Sequence, residues 1–201
     1  MNDKFYALPE EKQERILNAG FRVFSSNSYK KSPMNEIALE AGISKSLLFF
    51  YFKNKKDFYL FLMKKAESLT QQYLINSGCY QETDIFEMMY KGLLAKAEMM
   101  KKYPDMSNFA LRAYYEEDPE VKDELRKIIE PYTELKSNTT IPPLNPDDYK
   151  EGLDLQLMYQ DMYLASEGYI YRMQHKGEIN VEKVVEDYRR IIEFWKGLYL
   201  R

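Results

Sequence analysis

Residues 32–58 read S-P-M-N-E-I-A-L-E-A-G-I-S-K-S-L-L-F-F-Y-F-K-N-K-K-D-F, and a single glycine divides this stretch into two short helices. Ser32 can cap the first, and Pro33 suits a first turn whose N–H has no partner. Ile37, Ala38 and Ala41 recur at helical spacing and give that helix one apolar face. Gly42 ends it, because glycine accepts the left-handed conformation that often follows a last turn. Ile43 turns inward, and Ser44 caps a second helix that begins at Lys45.

Two helices joined by a tight glycine turn form the helix-turn-helix, which lays its second helix in a DNA major groove. The block that follows is more specific. Gly42, Ile43, Ser44, Lys45, Leu48, Tyr51, Phe52, Asn54, Lys55 and Asp57 stand at the spacing of the DNA-binding signature of the TetR family of transcriptional regulators. The stretch resembles that signature over residues 10–58, close to the start of a 201-residue chain. The resemblance implies an all-α fold of about nine helices. A three-helix DNA-binding domain (1–53) would precede a larger helical domain for ligand binding and dimerisation (54–201).

The bounds agree. Hydrophobic residues make up 45% and charged residues 30% of the chain, an ordinary globular composition. The single Cys79 rules out an internal disulfide framework and fits a reducing cytoplasm, the expected location. No apolar run approaches the ~20 residues needed to span a bilayer. Met1 to Pro9 lack the basic-then-apolar layout of a secretory leader. The net charge of −3 hides an asymmetry: residues 1–56 carry ten Lys/Arg against six Asp/Glu, and the remainder 19 against 26. A basic end on an acidic body suits presentation of that end to a polyanion.

Along the chain, periodicity predicts helices over about 10–26, 33–41, 45–51, 55–75, 84–102, 105–116, 119–137, 150–175 and 181–200. Pro142, Pro143 and Pro146 mark a loop over 138–148, and Gly177 to Asn180 separate the last two helices. A stiff helix from Lys55 would carry movement between the domains. The apolar stripe Leu157, Leu164, Gly168 and Tyr171 and the unbroken rhythm of 181–200 fit either plain core or a four-helix bundle with a second copy. The resemblance favours the bundle and a homodimer through 150–175 and 181–200.

The expected DNA contacts are Ser32, Ser44, Lys45, Ser46, Phe49, Tyr51, Lys53 and Lys55, with Lys56 as a generic neighbour. Lys45 can donate to guanine O6 and N7, and an exposed aromatic can lie on thymine methyls. Phe49 and Phe50 cannot both face the core of so short a helix. The resemblance assigns Tyr51 to a phosphate, and Lys55 opens a helix whose free N–H groups favour the same partner. Ser46, Leu47 and Phe49 depart from the family's usual glycine, threonine and tyrosine, which removes neutral phosphate donors. A dimer would place two such helices in successive major grooves, ~34–36 Å apart, on an inverted repeat of double-stranded DNA.

The resemblance also implies a small-molecule effector held in the body. Methionines and aromatics there fit an adaptable, mostly apolar pocket for an apolar or aromatic ligand, or plain core. The candidates are Met88, Met99, Phe109, Tyr114, Tyr159 and Tyr163. Asp161 and Glu167 lie mid-helix, where a buried carboxylate would favour a cation and a solvated one would not. One histidine and one cysteine supply neither a metal cluster nor a Ser-His-Asp or Cys-His set. No phosphate-cradling glycine loop is present. Neither catalysis, a cofactor nor a metal is therefore expected. The competing reading is a ligand-binding or protein-interaction dimer with only non-specific DNA affinity.

Overall fold

A computed structural model of the chain describes residues 3–138, 142–175 and 180–201. Among these, ten α-helices form and no strand ladder: α1 (Asp3–Tyr6), α2 (Glu10–Ser26), α3 (Met34–Glu40), α4 (Lys45–Tyr51), α5 (Lys55–Asn76), α6 (Ile85–Lys102), α7 (Met106–Tyr114), α8 (Lys122–Asn138), α9 (Leu155–His175) and α10 (Val181–Tyr199). The all-α expectation holds, and α1 is the helix beyond the expected nine. The separator at Gly177 to Ile179, and Thr139 to Ile141 of the proline-rich loop, lie outside the described residues. No described helix is long and apolar enough to cross a membrane.

Two compact units share the chain. The first takes residues up to Ser68 together with Tyr103–Glu134; the second takes Leu69–Lys102 and everything from Leu135. Helix α5 therefore begins in one and ends in the other.

The first unit is held by rings. Phe24 meets Tyr59 edge-on at 4.7 Å, and Phe109 lies 5.4 Å from Phe21 and 5.2 Å from Tyr59. A second group joins Phe52 to Phe58 at 4.4 Å and to Phe61 at 5.0 Å. Phe5 of α1 is fully buried against Phe52 and Phe61, which explains why so short a helix forms. Gly20 lets α2 approach α5: a Cβ there would fall 2.7 Å from Leu62 and 2.8 Å from Phe58.

The second unit packs α6, α9 and α10 around Phe86, Leu93, Met158, Met162, Tyr188 and Trp195. Ser166 is buried and donates to the Met162 carbonyl at 2.6 Å; the Tyr188 hydroxyl, 2.6 Å away, donates to it in turn. The expected start of α9 at 150 is corrected. Gly152, at φ +77°, turns the chain, and Asp154 Oδ1 accepts from the N–H of Gln156 and of Leu157, so the helix opens at Leu155. The preceding strap is tied to the end of the chain. Lys150 N–H donates to the Tyr199 carbonyl at 3.0 Å, and Arg201 Nε donates to the Tyr149 carbonyl at 2.8 Å.

Candidate nucleic-acid interface

The turn between α3 and α4 forms as its residue types require. Gly42 adopts φ +65°, where a side chain would be strained. Ser44 sits in an extended conformation and its Oγ accepts from Leu47 N–H at 3.2 Å, capping α4. Leu48 and Phe52 are buried, pinning one side of α4 to the aromatic core. At 100° per residue Ser46 and Phe50 lie opposite Leu48, Phe49 lies at the flank, and Lys45 stands at the open first turn. Lys45 and Ser46 are exposed and Phe49 is half-buried beneath the Lys45 ammonium, 5.9 Å from its ring centre. Ser46 Oγ lies 3.0 Å from Ser44 Oγ. Phe50 is the more exposed ring of the pair, at 56%, and the Lys4 ammonium stands 3.8 Å over it. Sequence reasoning had placed neither Lys4 nor Phe50 in the contact set. The one signal for Lys4 was its place beside an apolar Phe5 ahead of the first long helix.

Three expected contacts sit differently from the sequence reading. Ser32 does not cap α3: Pro33 occupies the cap position without a side-chain bond, and the Ser32 hydroxyl donates inward to the Ser28 carbonyl at 2.9 Å. At 1% exposure Ser32 closes the loop before α3, and its hydroxyl is not presented to a phosphate. Tyr51 is nine-tenths buried, its ring beside Phe50 at 5.7 Å. Lys55 turns back: its ammonium donates to the Lys30 carbonyl at 3.2 Å and lies 4.8 Å from the Tyr29 ring. Burial pulls its pKa below the ordinary lysine value. Asn54 caps α5 instead, its Oδ1 accepting from Asp57 N–H at 2.7 Å. Lys53 is exposed, and Lys56 pairs with Glu124 at 2.8 Å.

The loop beneath this surface is fixed from within the same unit. Tyr29 N–H donates to Glu116 Oε2 at 2.9 Å, and the Asp118 N–H donates to the other oxygen of that carboxylate at 3.0 Å. Burial, with the acidic Glu120 and Asp118 nearby, drives the Tyr29 hydroxyl well above the usual tyrosine pKa.

The expected effector residues divide between the units. In the first, Phe109 belongs to the ring core and Tyr114 is exposed, edge-on to Tyr115 at 4.9 Å. In the second, Met88 and Met99 are buried, and the Tyr159 and Tyr163 rings lie 6.2 Å apart. The Lys96 ammonium stands 5.3 Å over Tyr163 and pairs with Glu167. Burial alone would lower the Lys96 pKa; the Glu167 carboxylate holds it above the ordinary value. Glu167 is thus already neutralised, which removes the argument for a cationic ligand. Asp161 is exposed and accepts from Tyr199 Oη at 3.3 Å. Tyr188, buried on Ser166, is pushed up to about 12 by loss of solvation.

Comparison with known proteins agrees with the geometry. Residues 16–60 match the family model described as bacterial regulatory proteins, tetR family. The chain is 22% identical over 157 residues to the fatty acid metabolism regulator protein of Bacillus subtilis (strain 168), covering 76% of this chain and 78% of that one. Its fold is similar to a TetR family transcriptional regulator from Chloroflexus aurantiacus J-10-FL, with TM-score 0.66, 20% identity and coverage of 99% and 98%. It is also similar to the regulator FadR of Bacillus subtilis in complex with stearoyl-CoA, with TM-score 0.55, 19% identity and coverage of 90% and 96%. The glycine turn and the capped α4 both fall in the matched stretch, so residues 16–60 carry the DNA-binding segment of the tetR family of bacterial regulatory proteins, and the rest of the chain is similar to such regulators in fold.

Proposed function

We propose that the chain is a homodimeric repressor that reads an inverted repeat through α4 of each subunit and leaves it when a small molecule binds the body. The observation that carries this is the outward face of α4. A serine-capped helix, fixed on its inner side, presents a lysine, a serine and two phenylalanines from a glycine turn. Lysine and serine can bond base edges or phosphates, and the rings suit thymine methyls. Lys45, Ser46, Phe49 and Lys53 remain the contacts of choice, and Ser44 serves by holding the helix start. Action is by binding rather than catalysis, at DNA in the cytoplasm. The functional division falls at residues 53 and 54, although α7 packs with the head.

Dimerisation is supported by an apolar row that the single chain leaves open. On α9, Leu157, Leu164 and Tyr171 are exposed, and on α10 so are Phe194 and Leu198. Gly168 and Gly197 have open space where a Cβ would stand. Two such helices from each of two copies can form a four-helix bundle. For the effector, buried Met88, Met99, Met158 and Met162 with Tyr159 and Tyr163 favour an apolar or aromatic body. The relatives' fatty acid regulation and bound stearoyl-CoA make acyl-CoA thioesters the first compounds to try.

Selection of bound duplexes from a random-sequence pool, at two salt concentrations, tests this. An inverted repeat with half-sites ~10 base pairs apart, retained at the higher salt, is expected. Binding without a common site, lost uniformly as salt rises, would instead support the dimer with non-specific affinity.

A further inference from the structure

Helix α1 brings a charge to the DNA-reading face that its own sequence position does not suggest. A lysine four residues from the start of a chain is ordinarily free to wander. Here the neighbouring Phe5 is fully buried, 5.3 Å from Phe52 and 5.2 Å from Phe61, and it pins the backbone. Tyr6 adds an edge contact to Phe61 at 6.1 Å, and Gln13 Nε2 donates to the carbonyls of Tyr6 and Leu8. Lys4, itself exposed, is left on the outside with its ammonium 3.8 Å above Phe50.

Phe50 lies one turn beyond the exposed Ser46, on the same side of α4 and facing away from the buried Leu48. The cation is therefore parked at the C-terminal end of the reading face before any DNA arrives. An ammonium on a ring spends one side on the ring and keeps N–H groups for another partner. A helix lying in a major groove is flanked by phosphates, and neutralising them supplies most of the salt-dependent affinity. We propose that Lys4, held in place by Phe50, is a phosphate contact of the DNA interface. The inference rests on the reading that α4 enters the groove. Its consequence is that α1 belongs to the binding surface, and that Phe50 serves as the perch as well as an apolar contact.

The test uses the full chain with K4A, F50L, K4A/F50L and K45A variants, titrated by fluorescence anisotropy over a salt series. The probes are a duplex recovered by the selection and a scrambled duplex of equal composition. Lys4→Ala should weaken both duplexes by a similar factor, roughly 3–10-fold, and reduce the slope of log affinity against log salt by about 0.9 per head. On the F50L background the same change should cost less, since the perch is already gone. Thermal melts should leave K4A unchanged, as its side chain is exposed. If K45A weakens binding while K4A moves neither affinity nor slope, Lys4 is no contact and the proposal is wrong. A loss from K4A that is equal with and without Phe50 overturns the perch. If K45A and K4A are both silent, α4 does not read DNA, and the failure lies with the groove-docking reading itself.

Discussion

The two units bury different chemistry. Among the described residues, of the twelve largest fully buried side chains only Tyr188 and Phe86 belong to the second; Tyr59, Phe5, Phe21, Phe24, Phe52, Phe58 and Phe109 all pack in the first. The second buries six methionines, Met88, Met89, Met99, Met100, Met158 and Met162, against Met34, Met63 and Met106 in the first, and places a serine–tyrosine bond and a lysine–glutamate pair among them. Rings with two torsions interlock in few ways, while a thioether chain refits around a changed neighbour. The first core suits a unit that must hold α4 at a fixed angle. The second suits one that must rearrange around a ligand.

Large truncations should separate them most. Phe109→Ala removes a ring that touches Phe21, Phe24 and Tyr59, and should cost about 3–5 kcal/mol by chemical denaturation, with DNA affinity lost alongside. A cost below 1 kcal/mol would show that the ring core is not rigid. Gly20→Ala drives a methyl into Leu62 and Phe58 and should cost about 1–3 kcal/mol. Tyr188→Phe removes one buried hydrogen bond and should cost about 1 kcal/mol. Met162→Leu keeps volume within the adaptable core and should cost about 0.5 kcal/mol; a loss as large as that of Phe109→Ala would erase the contrast.

The alkaline limb reports the second core by another route. Tyr188 and Tyr169 ionise in the folded chain near 12, raised from 10.0 by burial. A raised pKa means that the neutral form is the one the fold prefers. Their contribution is complete below pH 10 and is lost as pH climbs toward 12. Absorbance titration of Y188F should lack that late tyrosine, and its stability should fall less over the same window.

The helix-turn-helix was legible because each boundary carries its own chemistry: a capping serine at 44, a left-handed glycine at 42, a proline at 33. The errors arose where one residue had two plausible tasks. Ser32 looked like a cap, but Pro33 took that place and left the hydroxyl to close the preceding loop. Lys55 opens a helix as expected, yet the Lys30 carbonyl and Tyr29 ring draw its ammonium back. Both partners come from a loop whose path local pattern does not reveal. Helix α1 is too short to show a period, so nothing local exposed Lys4. The start of α9 was readable in Gly152 and Asp154, which are a turn residue and a cap. Lys96 gave no signal, because its ion pair joins residues 71 apart.

One bond in the head has a consequence for the order of folding. Tyr29 N–H reaches Glu116, 87 residues along the chain, so the first unit is interrupted by the segment Leu69–Lys102. On a ribosome adding ~5–20 residues per second, Phe21, Phe24 and Tyr59 wait seconds for Phe109 to cover them. Until then the nascent chain shows a patch of bare rings, the kind of surface a chaperone binds. A fragment ending at Ser68 would keep that patch for good, so the DNA-reading head is an assembly completed late in synthesis rather than a module that can be cut free.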